Sequence, residues 1–160
     1  MSVDDLVASV NRVEPSLIRI EADEVTYSLH VILRFNLEIR LVTGDLAVAD
    51  LPDAWAAESA RLLGVTPARD AEGVLQDIHW SMGSIGYFPT YALGNLYSAQ
   101  LAAAMSRDLG DLDRLIEEGE FRTMLRWLRE NVHSHGRVYP ARELCRRVTG
   151  SPLDPAVYLG

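Results

Sequence analysis

Two stretches of this sequence hold more polar side chains than a helical core requires, and both carry groups suited to recognising a ligand. The first, Ile18-Arg19-Ile20-Glu21-Ala22-Asp23, offers a guanidinium and a carboxylate four residues apart. A guanidinium is planar and always charged, and it forks onto a carboxylate through two charge-assisted hydrogen bonds. Read on residue types alone, Arg19 and Asp23 equally describe an intrahelical ion pair that only supports its helix. The second stretch, Gly73-Val74-Leu75-Gln76-Asp77-Ile78-His79-Trp80, offers an amide, a carboxylate and an imidazole at Gln76, Asp77 and His79. The plain reading of His79 is a satisfied core histidine beside Trp80. Directly behind runs Gly86-Tyr87-Phe88-Pro89-Thr90-Tyr91-Ala92-Leu93-Gly94. Tyr87 and Tyr91 supply phenolic hydroxyls there, or pack as core aromatics with one wet end. Gly86 permits close approach of backbone or ligand and so favours Tyr87 of the two.

Other reactive side chains have duller explanations. His133-Ser134-His135 stands at a helix end, where alternate residues point about 200° apart and cannot share an ion, so favourable charge at the helix dipole is its expected role. Glu117-Glu118-Gly119-Glu120 reads as a solvated loop. Cys145, with no histidine near it in sequence, reads as a buried structural thiol.

The elements that must position these groups follow from periodicity. Ile18, Ala22, Val25, Leu29 and Ile32 recur at steps of four and three, which predicts a helix from Pro15 to Val42 with Ser16 as N-cap and Thr43-Gly44 as stop. Arg19, Asp23, Tyr27, His30 and Arg34 form a polar stripe beside that apolar one. Asp50-Leu51-Pro52 opens a short helix through Trp55, Ser59 and Leu63 to Gly64, and 66–73 is a polar loop. A long helix is predicted over Pro89–Leu109, with Gly94 marking close packing, then helices over Asp111–Glu118, Phe121–His133 and Tyr139–Thr149. No stretch alternates with period two for long. The class is therefore mainly α.

Composition narrows the setting. At 160 residues and 48% hydrophobic, with no repeat or low-complexity linker, the chain is expected to be a single domain, 1–160, with its own core. A formal charge of -8 leaves no basic footprint for phosphates, so nucleic acid is not an expected partner. No apolar run approaches the ~20 residues that cross a bilayer, and the acidic start lacks a signal-peptide n-region. One cysteine cannot form an internal disulfide, which makes the cytoplasm the expected compartment.

In order and spacing the two polar stretches resemble the IRxxAD and GxxQDxHW signatures, with the GYFPTYxLG run behind them, of the carboxypeptidase Taq family of zinc metallocarboxypeptidases. SLIRIEADEVTY, DLPDAW and WLRENVHSHG are similar to that family as well, so the resemblance covers almost the whole chain. It implies a multi-helix part of a helical metallopeptidase fold. In the family, zinc or another divalent metal is held by two histidines of an HExxH helix and a downstream glutamate, and the HExxH glutamate activates the attacking water. None of His30, His79, His133 and His135 stands in an HExxH, so the resemblance is to the C-terminal part, starting after the metal site and stopping slightly before the family's usual end. No cofactor is expected in this chain, and by itself it is expected to be inactive.

Within that resemblance Arg19 is the candidate for the free carboxylate of a peptide C-terminus, with Asp23 orienting it. His79 is the candidate donor to the oxyanion formed at the scissile carbonyl, with Gln76 and Asp77 holding the peptide backbone or fixing the His79 tautomer. Tyr87 or Tyr91 adds a hydrogen bond to the tetrahedral intermediate. The expected site is thus catalytic His79 and Tyr87 with substrate-binding Arg19, Asp23, Gln76, Asp77 and Tyr91, all converging on one concave surface. Two roles are compatible with it: the substrate-recognising part of a metallocarboxypeptidase, or a non-catalytic peptide-binding or dimerisation protein derived from one. A complete small hydrolase ranks behind both. A mean hydropathy of +0.01 without the metal-binding half leaves apolar faces to cover, so a homodimer or a separate HExxH-bearing half is the expected partner.

Overall fold

A computed structural model describes residues 1–160, and its regular elements are all helices. Helix α1 (Val3–Val10) is closed by a reciprocal capping box between Ser2 and Asp5 and buries none of its residues. The next helix, α2 (Glu24–Thr43), starts nine residues after the Pro15 that the periodicity suggests, because its cap is Asp23 and not Ser16. Asp23 Oδ1 accepts the amides of Val25 and Thr26 at 2.9 and 2.8 Å. A carboxylate at this end satisfies orphan donors and meets the positive pole of the helix. Between α1 and α2 the only helical element is a 3-10 turn at Arg19–Glu21, flanked by extended backbone at Ile18 and Ala22. At the other end Gly44 takes φ 82°, the left-handed conformation that closes α2.

The buried line of α2 also differs from the apolar stripe. Val25 and Ile32 are 62% and 41% exposed, whereas Leu33 and Leu37 are fully buried. Thr26, His30, Arg34 and Glu38 share the buried side with those leucines. Hydrophobicity alone assigns Arg34 and Glu38 to water; they are buried because the loop facing them supplies hydrogen-bond partners.

Helix α3 (Leu51–Leu63) follows a 3-10 turn at Val48–Asp50 and carries a proline in its first turn, although the Asp50 side chain makes no cap bond. It packs along α2. Leu33 and Leu37 meet Leu46, Leu51, Trp55 and Leu63 in one core, with Trp80 and Val74 against it. Residues 65–88 carry no α-helix and only one 3-10 turn, at Asp70–Glu72.

Helix α4 (Pro89–Leu109) has the limits that the periodicity predicts. The chain divides within it into two compact units, Met1–Ala92 and Leu93–Gly160. In the second unit α4 is followed by α5 (Leu112–Glu117), α6 (Phe121–Asn131), a 3-10 turn at His133–His135, α7 (Ala141–Thr149) and α8 (Ala156–Leu159). Its core is Ala104, Met105 and Trp127, with the indole donating to Asp108 at 2.7 Å. Cys145 is buried there. Gly94 does not mark close packing, since a Cβ built on it meets nothing within 4 Å.

The shifted register of α2 has a direct consequence. Leu33→Ala is expected to lower unfolding free energy by about 2–5 kcal/mol, and Ile32→Ala by no more than about 0.5 kcal/mol. Denaturant unfolding of the two variants beside the parent checks the difference.

Candidate functional site

Apart from Asp23, the expected site residues come together inside the first unit, with the Asp77 carboxylate between the arginines. The 3-10 turn at Arg19–Glu21 lays Arg19 against the loop that follows α3, where its backbone amide donates to Gln76 Oε1 at 3.0 Å. Its guanidinium donates to Asp77 Oδ1 from Nη2 at 2.7 Å and from Nε at 3.3 Å. From α2, Arg34 Nε donates to the other oxygen, Asp77 Oδ2, at 2.6 Å. Arg34 Nη2 reaches Gln76 Oε1 at 2.8 Å, and Nη1 reaches the His30 carbonyl at 2.8 Å. Arg19 is 5% exposed and Arg34 fully buried, so both charges rely on these partners in place of water.

Aromatic faces complete the seat. The Arg34 guanidinium lies 4.7 Å from the Trp55 ring centroid and that of Arg19 lies 4.8 Å from Tyr91. Contacts of this kind favour a cation over the ring's negative face.

Ionisation follows from this packing. Burial pushes the Asp77 carboxyl up, but the hydrogen bonds and charges of Arg19 and Arg34 outweigh it and hold its pKa below the ordinary value. Burial likewise opposes the charge on Arg19, and Asp77 and Tyr27 more than restore it, so its pKa is raised. Arg34, more deeply enclosed, is lowered to about 10 by burial and by the like charge of Arg19, with Asp77 opposing, and remains a cation at neutral pH. His30 is driven down to about 4 by burial and then by Arg34 and Arg19, so it is neutral.

Gln76 is saturated within the chain. Its Oε1 accepts from Arg19 and Arg34, and its Nε2 donates to the carbonyls of Leu17 and Glu72, both at 2.9 Å. It ties the segment before α2 to the loop and has no group left for a ligand. Gly73, three residues earlier, is closely packed: a Cβ there would stand 3.0 Å from Pro67 and 3.3 Å from Trp55.

His79 and the tyrosines form the adjoining aromatic wall. His79 Nε2 and Tyr91 Oη are 3.0 Å apart, and the His79 ring stacks at 4.4 Å on buried Phe88. Tyr87, exposed, stands 5.6 Å from His79 and 5.4 Å from Tyr91 between ring centroids. His79 Nδ1 is buried without a partner; Asp77 Oδ1 is 3.8 Å away, too far for a hydrogen bond to fix the tautomer.

Asp23 is the site residue that stands apart. It is not on a common helix face with Arg19, since Arg19 precedes the helix that Asp23 caps. Its second oxygen accepts from the Glu14 amide at 3.0 Å and from Thr26 Oγ1 at 2.9 Å, which fixes the turn into α2. The carboxylate that holds Arg19 is Asp77, 58 residues away. Arg34 belongs to the polar stripe seen in sequence but was not among the site residues expected. Glu38, one turn further along the same row, accepts from Trp80 Nε1 at 2.7 Å and from the Gly86 amide at 2.6 Å. A carboxylate between Leu37 and Ile39, one turn beyond Arg34, was the signal available for it.

The first unit is thus an all-helical body with a buried arginine pair on a carboxylate and a histidine–tyrosine wall beside it. The chain belongs to the carboxypeptidase Taq (M32) metallopeptidase family, whose description matches residues 1–160. It is 49% identical over 159 residues to thermostable carboxypeptidase 1 of Thermus thermophilus, covering 99% of this chain and 31% of that protein. It is 46% identical over 154 residues to carboxypeptidase 1 of Bacillus subtilis, covering 96% of this chain and again 31% of the relative. The crystal structure of the M32 carboxypeptidase from Deinococcus radiodurans matches with a TM-score of 0.95 at 44% identity, over 99% of this chain and 32% of that one. The chain thus spans about a third of the length of these relatives.

The family is one of metallopeptidases, but the residues here do not fit a metal: no three histidine, cysteine, aspartate or glutamate side chains gather to hold one. His79, the nearest such ligand to the site, has Tyr91 on one ring nitrogen and the other enclosed. No helix is long and apolar enough to cross a membrane.

The buried neutral histidine predicts how stability responds to pH. His30 takes up a proton near its ordinary 6.5 when unfolded but only near 4 when folded, so the unfolded chain binds more protons between those values. Stability is full above pH 6.5 and falls as pH drops toward 4, by up to about 1.4 kcal/mol per pH unit. Asp77, also depressed, adds its loss at still lower pH. Denaturant unfolding between pH 4 and 7 is expected to show this slope, and His30→Leu to flatten it.

Proposed function

We propose that this chain is the part of a metallocarboxypeptidase that recognises the C-terminus of a peptide, with Arg19 receiving the terminal carboxylate. The observation that carries this is the bonding of the Arg19 guanidinium. Nη1 has one acceptor, Tyr27 Oη at 3.3 Å, and Nη2 has one, Asp77 Oδ1. Each terminal nitrogen carries two protons, so one N–H remains on each, which is what a fork onto a carboxylate uses. Within contact distance, two guanidiniums face a single carboxylate. A ligand carboxylate supplies the second counter-charge in a place where water screens little.

The neighbouring groups then have distinct tasks. Asp77 and Gln76 hold Arg19 in place, and the Tyr91 ring backs its guanidinium. The His79–Tyr91 pair shares a proton along the peptide's path, and exposed Tyr87 is the phenol free to reach a bound chain. Asp23 acts at one remove, by fixing the turn that carries Arg19. Alone, the chain is expected to bind without cleaving, and the cytoplasm is its proposed compartment.

A second feature supports association. Val25, Ile32, Phe35, Ile39 and Val42 recur at steps of three, four and seven along α2 and are all exposed, an apolar stripe that water covers poorly. A second copy, or a separate HExxH-bearing half, is the proposed partner.

Two measurements check these readings. Calorimetric titration with a free-acid dipeptide and its amidated twin is expected to favour the free acid, and Arg19→Gln to remove about tenfold or more of that preference. Equal binding of both peptides to the parent protein would refute the assignment of Arg19. Light scattering is expected to find dimers or larger species, and Phe35→Glu to shift them toward monomer; a parent protein monomeric at all concentrations would argue against the apolar stripe as an interface.

A further inference from the structure

We propose that Glu38 is a positioning residue of this site, setting the places of both His79 and Tyr87 by clasping the two ends of the turn between them. The proposal rests on the peptide-recognition reading only for what His79 and Tyr87 then do; the clasp itself is a matter of geometry. Glu38 is buried on α2, one turn beyond Arg34. One carboxylate oxygen accepts the Trp80 indole N–H at 2.7 Å, and the other accepts the Gly86 backbone N–H at 2.6 Å. His79 immediately precedes the first donor and Tyr87 immediately follows the second. A single side chain therefore holds the residues flanking both.

The turn has little else to hold it in register. Ser81, Met82, Gly83 and Ile85 are exposed, and the hydrogen bonds inside it, such as Ser84 N–H to the His79 carbonyl at 2.8 Å, close the turn on itself without tying it to a helix. Phe88 and the Trp80 ring do pack inward, with Trp80 edge-on to Trp55 at 6.1 Å and to Phe88 at 5.8 Å. Apolar contact is non-directional, whereas a hydrogen bond weakens steeply with angle and distance. Packing keeps the segment near the core, and Glu38 decides which atoms face which. Because the clasp springs from the helix that also carries Arg34, Arg34 and the turn between His79 and Tyr87 are tied to one rigid element.

The chemistry of the clasp suggests its test. Glu38→Gln keeps the shape, but an amide has one oxygen for two N–H donors, so one end of the turn must be released. On the full chain, this variant is expected to keep its helical circular dichroism, to lose nuclear Overhauser contacts between the His79 and Tyr87 rings, and to bind the free-acid dipeptide about tenfold more weakly. A variant that melts at lower temperature yet keeps the ring contacts and the affinity would show Glu38 to be structural only, and would overturn the proposal. Should Glu38→Gln fail to fold, hydrogen exchange in the parent protein decides. The Trp80 indole and Gly86 amide protons are expected to exchange together, at least about tenfold more slowly than the Ile85 amide; exchange of either as fast as Ile85 would overturn the clasp. If Arg19→Gln leaves free-acid binding unchanged, peptide recognition fails by itself, and the ring contacts still judge Glu38.

Discussion

The Asp77 carboxylate, shared between Arg19 and Arg34, is the constraint around which the first unit is arranged. Two guanidiniums brought within reach of one another repel, and burial strips them of water. The arrangement holds only because each takes a different oxygen of Asp77 and because Gln76 accepts from both residues. These bonds join the turn before α2 and α2 itself to the loop after α3, 58 and 43 residues away from the two arginines. Removing any one member leaves a buried charge or donor unanswered, and this makes the cluster cooperative.

That constraint explains the odd burial of α2. A helix that turned its most apolar stripe inward would send Arg34 and Glu38 to solvent. Here the buried side carries His30, Arg34 and Glu38 together with Leu33 and Leu37, and Val25, Ile32, Phe35 and Ile39 are displaced outward. Leucines pack toward α3 while the polar residues serve the loop, so one face does two jobs.

The loop between α3 and α4 shows the complementary economy. It has little regular structure, yet side chains specify it at several points. Gly73 leaves room for Pro67 and Trp55, Gln76 uses its full bonding capacity, Phe88 is enclosed, and Glu38 grips Trp80 and Gly86. Irregular backbone held this way orients the His79 imidazole and the Tyr87 phenol, while Tyr91 stands on the first turn of α4.

Local patterning in the amino-acid sequence determined the helical class, the limits of α3 and α4 and the close of α2 at Gly44, since these depend on periodicity, glycine conformation and chain stiffness within a few residues. The motif residues were legible too, as polar clusters in segments that did not need them. What only the tertiary structure decided was partnership. Asp23, four residues from Arg19, looked like its ion-pair partner, but capping a helix end satisfies that carboxylate better, and Asp77 takes the arginine across 58 residues. The buried face of α2 was hidden for the same reason. Periodicity ranks side chains by their affinity for water, whereas an arginine or glutamate is buried when distant groups answer every hydrogen bond it offers, and no short window of sequence contains those groups.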